Sequence, residues 1–227
     1  RPSRDKRRKY IHPEIMFGRV LALLERIDRE PCPRPVWRAG RYRDSLIIAF
    51  LCTRAPRRRN LGAIVIGQHL VRAGDRYVLR FEGSETKNSR PFEESLPAGL
   101  TSYIDRYLVH HRPLLLAGHP STRLWISNLG TDMAEISIYF RVHKVTEREF
   151  GIALNPHAFR DSVSTSLAID DPAHVGAASA ILGHTDPRTT ERHYNLARSL
   201  EAARVFQGSM IQLRRAPDRA KLHRRNR

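Results

Sequence analysis

Residues 61–96 read LGAIVIGQHLVRAGDRYVLRFEGSETKNSRPFEESL, and the rhythm of this stretch decides the fold class. Within it, Leu61–Ile66, Tyr77–Phe81 and Pro91–Leu96 are short and either apolar or alternating. Ala73-Gly74-Asp75 and Gly83–Ser89 separate them. Glycine opens left-handed backbone conformations, and Asp, Asn and Ser side chains bond to nearby main chain, so these separators are turns. The pattern predicts three antiparallel strands.

Outward from that stretch the period changes to that of helices. Upstream, Ile15, Met16, Val20, Leu23, Leu24 and Ile27 recur at three- and four-residue steps, predicting an amphipathic helix from His12 to Arg29. Pro31, Pro33 and Pro35 end it, and a second helix is expected from Tyr42 to Thr53. Downstream, a helix is expected from Ala98 to His110 and a long connection over 113–131, which contains Gly118, Pro120 and Gly130. Further helices are predicted near 132–149, 157–168, 172–182, 188–193 and 196–206. The expected class is α+β: mainly helical, with one small three-stranded antiparallel sheet in the N-terminal third.

Composition narrows the partners. The 227 residues carry 40 Lys and Arg against 23 Asp and Glu, a net charge of +17. Residues 1–60 hold 17 basic and 6 acidic residues, and residues 213–227 hold 7 and 1, leaving 61–212 neutral. A neutral body with two basic ends suits a polyanion, because each phosphate contact releases counterions. Nucleic acid leads, with an anionic membrane or an acidic protein behind it. No apolar stretch approaches a membrane span and no signal peptide is visible. Cys32 and Cys52 have neither a disulfide framework nor zinc spacing around them and read as free thiols in a reducing compartment. Neither a P-loop nor an acidic metal cluster is present, so no cofactor and no metal are expected.

The densest chemical signal lies towards the C-terminus. Asn155-Pro156-His157-Ala158-Phe159-Arg160 is a helix start, with Asn as cap and Pro in the first turn. His157 and Arg160, three apart, share a face at that positively polarised end, a seat for phosphate. Leu182-Gly183-His184-Thr185-Asp186-Pro187 leaves His184 in a joint between two helices, and Tyr194 follows ten residues on. In Ala55-Pro56-Arg57-Arg58-Arg59-Asn60-Leu61, consecutive side chains diverge, and Arg57 is expected to point inward. Lys87 sits at a hairpin tip, Glu85-Thr86-Lys87-Asn88-Ser89-Arg90. Each of these features taken singly has an ordinary structural explanation.

Their order is more telling. Arg57, Lys87, His157 with Arg160, His184 and Tyr194 resemble the Arg, Lys, His-x-x-Arg, His/Trp, Tyr series of the tyrosine recombinases, across residues 12–200. The resemblance includes an amide followed by leucine after the first arginine (Asn60-Leu61) and the Leu182-Gly183-His184 box. Two departures stand out: Asp161 occupies a position that is His in many members, and Thr53-Arg54-Ala55-Pro56 replaces the commoner Thr-Gly-Leu approach.

The resemblance implies a metal- and ATP-independent DNA strand transferase acting through a 3′-phosphotyrosine. Tyr194 would be the nucleophile, Arg57, Arg160 and His184 the donors to the phosphate, His157 the base and Lys87 the acid to the leaving oxygen. Further DNA contacts are expected at Arg58, Arg59, Asn88, Arg90 and Arg188. Double-stranded DNA is the implied partner, with a homo-tetramer assembled on it, in the bacterial cytoplasm at the nucleoid. Residues 1–11 are expected to be a basic linker from an N-terminal DNA-clamping domain, 12–212 the catalytic domain, and 213–227 a basic tail. Residues 196–212 are expected to dock on a neighbouring subunit. The competing readings are a type IB topoisomerase and a non-catalytic DNA-binding module of the same fold.

Overall fold

Leu46 to Cys52 is an unbroken apolar run because its helix is buried on every side. In the computed structural model, which describes residues 10–53, 55–86 and 89–170, that helix is α2 (Pro35–Thr53). It packs against α1 (Pro13–Arg29), α6 (Glu135–Phe150) and α7 (Pro156–Asp170). The segment α4 (Ala98–Arg106), a π-turn (Tyr107–His111) and α5 (Arg112–Leu116) also lies against it. α1 presents Met16, Val20, Leu23, Leu24 and Ile27 to this core, as the periodicity predicts. Phe50 meets Trp125 edge-on with ring centroids 5.3 Å apart, and the Trp125 Nε1–H donates to the Leu61 carbonyl at 2.9 Å.

The small sheet is present, with strand order β1 (Leu70–Ala73), β2 (Arg76–Phe81), β3 (Phe92–Ser95), all antiparallel. The described chain is therefore mainly helical with one three-stranded sheet, the expected class. Its first strand is not the expected one. Leu61–Ile66 is divided between a short helix, α3 (Arg58–Ala63), and an extended segment in which Val65 and Ile66 make single bridges to Arg123 and Leu70. Leu61 and Ile64 are fully buried, which accounts for the apolar run without a strand. A short apolar run does not distinguish helix from strand. The turn does: Gly74, at φ +62°, and Asp75 form a two-residue loop that requires paired strands at once on both sides, hence Leu70–Ala73 against Arg76–Leu79.

Two further boundaries differ. α2 begins at Pro35, because proline in a first helical turn loses no hydrogen bond, so the last of the three prolines starts a helix. The helix expected to stop at His110 continues to Leu116, and the long connection begins only there. Pro113 is accommodated where the ladder has widened into the π-turn, and Ala117 at φ +49° closes the segment.

Two buried polar clusters tie helices together. Asp44 accepts from Arg43 through Oδ1 at 2.7 and 2.9 Å and from the Arg141 Nε–H through Oδ2 at 2.6 Å. Arg43 also donates to the Ile126 carbonyl and to Asn128 Oδ1, so α2, α6 and the 126–128 segment share one charge network. In the second cluster Asp28 of α1 pairs with Arg106, and its Oδ1 lies 3.2 Å from His111 Nε2. His111 is 3% exposed and stacks on Tyr42 at 4.0 Å. Burial lowers its pKa to about 4, with Asp28 opposing that shift. The folded state therefore takes up this proton only near pH 4, whereas the unfolded imidazole takes it up near pH 6.5. Its contribution to stability is intact above pH 6.5 and is lost as pH falls from there towards 4. Urea melts of wild type and His111→Gln at pH 7 and pH 4.5 should differ by an extra amount on the order of 2 kcal/mol, wild type being the more acid-sensitive. A difference independent of pH would show that His111 is not held neutral.

Candidate active site

The head of α7 is built as its sequence dictates. Asn155 caps it, its Oδ1 accepting from the Ala158 amide at 3.0 Å, and Pro156 occupies the first turn. This sets His157 and Arg160 one turn apart at the helix end where free N–H groups concentrate. His157 is strongly exposed, its side chain 76% accessible, and its Nε2 lies 3.7 Å from Asp161 Oδ1. The carboxylate thus flanks the ring on the solvent side of the helix head.

Arg160 turns the other way. Its Nη1–H donates to the Ala55 carbonyl at 2.7 Å, linking α7 to the segment that follows α2. Burial, and next the nearby charge of Arg57, lower the Arg160 pKa to about 10, with Asp161 opposing. The Arg160 head group therefore lies against the segment that leads into Arg57, although the two arginines are 103 positions apart in sequence. Arg57 is half-buried and stands at the N-terminus of α3. Ala55, two residues before it, has φ +41°, a conformation costing a non-glycine residue about 1 kcal/mol. The altered approach Thr53-Arg54-Ala55-Pro56 thus places an alanine where a glycine would be relaxed, with Arg160 holding its carbonyl.

The three arginines diverge as expected. Arg58 bonds Glu135 on α6 and lies over the Tyr139 ring at 5.8 Å, while Arg59 is exposed. Asn60 is buried, and its amide donates to the Glu85 carbonyl at 3.1 Å, fastening α3 to the hairpin between β2 and β3. Glu85 in turn faces His69 at 2.8 Å. The Glu82 backbone amide, and then His69, hold the Glu85 carboxyl below the usual range. This fastening escaped the sequence reading, although Asn60 stood in the first arginine box. Arg90 is exposed on the returning side of the hairpin, its amide donating to Thr86 Oγ1. Lys87, Asn88, His184, Arg188 and Tyr194 lie outside the described residues, as do the helices expected at 172–182, 188–193 and 196–206. Among the described residues no group of three or more His, Cys, Asp or Glu is placed to hold a metal ion, and no helix is long and apolar enough to cross a membrane.

What the described arrangement can do is specific. The capped head of α7 offers an exposed imidazole able to exchange a proton and, one turn on, a guanidinium able to hold an oxyanion, with Arg57 at the start of α3 two residues beyond the carbonyl that Arg160 holds.

Known proteins share sequence and fold with this chain. The tyrosine recombinase XerD of Pseudomonas aeruginosa is 30% identical over 110 residues, 47% of this chain and 37% of that protein. XerD of Pseudomonas putida is 29% identical over 161 residues, 69% of this chain and 51% of that protein. The chain thus spans about half the length, or less, of these curated relatives. Among solved structures, the XerH site-specific recombinase bound to a palindromic difH substrate in a post-cleavage complex superposes with a TM-score of 0.62 at 18% identity. That likeness covers 87% of this chain and 53% of the XerH chain. The pre-cleavage XerH–difH complex gives 0.60 at 19% identity. The sequence profile of the Phage integrase family matches residues 20–200, well over half the chain, and the chain therefore belongs to that family, that of the tyrosine recombinases.

Proposed function

We propose that this chain is the catalytic domain of a site-specific DNA recombinase that cuts and rejoins strands through a 3′-phosphotyrosine at Tyr194. The observation that carries the reading is Arg160, at the head of α7, bonded to the carbonyl of Ala55 two residues before Arg57, in a chain of this family. A phosphodiester resists attack because its charge repels nucleophiles and its alkoxide leaves poorly. In the proposed step the Tyr194 Oη–P bond forms while the P–O5′ bond breaks. The phenol proton passes to His157, and Lys87 gives its proton to the departing O5′. Arg57, Arg160 and His184 donate to the non-bridging oxygens, where preorganised donors are each worth about 3–4 kcal/mol. The ester preserves the bond energy, so a second strand's 5′-OH can reverse the step without ATP.

Arg58, Arg59, Asn88, Arg90 and Arg188 are proposed to hold the flanking duplex. Arg58 would exchange Glu135 for a phosphate. Residues 1–11 and 213–227 are proposed as basic arms, and 196–212 as the segment that joins subunits into a tetramer on DNA at the nucleoid.

The test is incubation of the 227-residue chain with a nicked DNA substrate whose cut fragment diffuses away. A detergent-resistant adduct at the 3′ phosphate, with a free 5′-OH and no need for metal or ATP, is expected. Cleavage without an adduct, or linkage to a 5′ phosphate, would overturn the proposal. Relaxation of supercoils with no strand exchange between two sites would assign the chain to the topoisomerase reading.

A further inference from the structure

We infer that Thr146 and Asn155 are positioning residues for His157, and that together they fix the main chain which carries this imidazole to the head of α7. The inference rests on the proposed role of His157 as the base, and deepens it.

His157 needs such help because packing gives it little. Its side chain is 76% accessible, and the Asp161 carboxylate, 3.7 Å away, is too distant for a hydrogen bond. Arg160, one turn on, is partly buried and has an anchor of its own in the Ala55 carbonyl. A side chain without packing that must meet a reacting group is placed through its backbone, where an error of about 1 Å is already costly.

That backbone is fastened from α6. Gly151, at φ +71°, donates to the Glu147 carbonyl at 3.0 Å, and Ile152 donates to the Thr146 carbonyl at 3.4 Å, closing the helix. Thr146 also acts through its side chain. It is 0% exposed, on the face of α6 that otherwise buries Ile138, Val142 and Val145. A polar group in an apolar stripe is costly unless it is bonded. The Thr146 hydroxyl donates to the Val142 carbonyl at 2.9 Å and accepts from the Leu154 amide at 2.9 Å. Leu154 is itself buried, so without this hydroxyl its amide would be stranded. One residue on, Asn155 takes the Ala158 amide on both its Oδ1, at 3.0 Å, and its carbonyl, at 2.9 Å. His157 therefore lies in a span, 154–158, whose first and last amides are both held by side chains. Loss of either hold should be felt at the exposed imidazole before it is felt at the separately anchored Arg160.

The experiment is single-turnover cleavage of the nicked substrate by the 227-residue chain at saturating DNA. Duplex affinity is measured in parallel, and each variant is assayed well below its melting temperature. Thr146→Val keeps the shape and removes the hydroxyl. It should slow cleavage about tenfold to a hundredfold with affinity within about twofold of wild type, while Thr146→Ser should restore the rate to within about threefold. Asn155→Ala should slow cleavage likewise, and Asn155→Ser, which again offers a cap oxygen, should restore it. In a His157→Ala background neither Thr146→Val nor Asn155→Ala should cost more than about a further twofold. A merely structural role would lower the melting temperature without this coupling to His157. Losses that multiply in the His157→Ala background overturn the inference while the base assignment stands, as do a parallel fall in duplex affinity or wild-type cleavage by Thr146→Val. His157→Ala cleaving within about threefold of wild type removes the base assignment, and the inference with it. Should Thr146→Val fold poorly, Asn155→Ala, at a partly exposed position, carries the same test.

Discussion

Replacing Tyr194 by phenylalanine should abolish the covalent DNA adduct, with cleavage falling by at least about four orders of magnitude and duplex affinity little changed. The change removes one oxygen, the atom proposed to bond phosphorus. Other phenols are poor substitutes. Tyr42 and Tyr107 donate to the carbonyls of Tyr103 and Leu124, and burial pushes both pKa values well up. Tyr77 and Tyr103 donate to the carboxylates of Asp105 and Glu25, and burial, then those bonds, raise their pKa values too. Tyr139 is the informative control, since it is half-buried beneath the Arg58 guanidinium, close to the first arginine box. Tyr139→Phe should form adduct at the wild-type rate. Adduct surviving Tyr194→Phe and lost in Tyr139→Phe would move the nucleophile to α6 and dismantle the proposed mechanism.

The second large effect is expected at Arg160. Arg160→Ala should lower single-turnover cleavage by about a hundredfold to a thousandfold, the usual consequence of losing one preorganised donor to developing charge. Arg160→Lys should recover little of this. The native guanidinium holds the Ala55 carbonyl with Nη1 and carries its five N–H groups in a rigid planar fork, whereas an ammonium is a single point charge. Thermal stability should change by only about 1 kcal/mol, because two opposed effects cancel: a buried charge is relieved and a carbonyl is left unpaired. Arg160→Ala cleavage within threefold of wild type would remove this residue from the proposed site.

The sequence disclosed the parts of this architecture that depend on local periodicity. α1, the strands Arg76–Phe81 and Phe92–Ser95, and the capped start of α7 follow from spacing, turn residues and Asn155-Pro156. It misled where one apolar run served two purposes, since Leu61 and Ile64 are buried by tertiary packing and not by a sheet face. Arg57 is half-buried while Arg58 and Arg59 are exposed, a divergence expected of consecutive side chains. The bond from Arg160 to the Ala55 carbonyl depends on how α2 and α7 pack, and the clasp of Asn60 and His69 on Glu85 joins residues with no shared period. Side-chain networks between elements leave no rhythm in a sequence.

The charge of Arg57 opposes that of Arg160 at the proposed site. Arg160 is disfavoured as a cation first by its surroundings and then by Arg57, so any tetrahedral anion that neutralises the pair strengthens the fold itself. Were that anion the proposed DNA phosphate, folding stability and DNA occupancy would become two readings of one equilibrium.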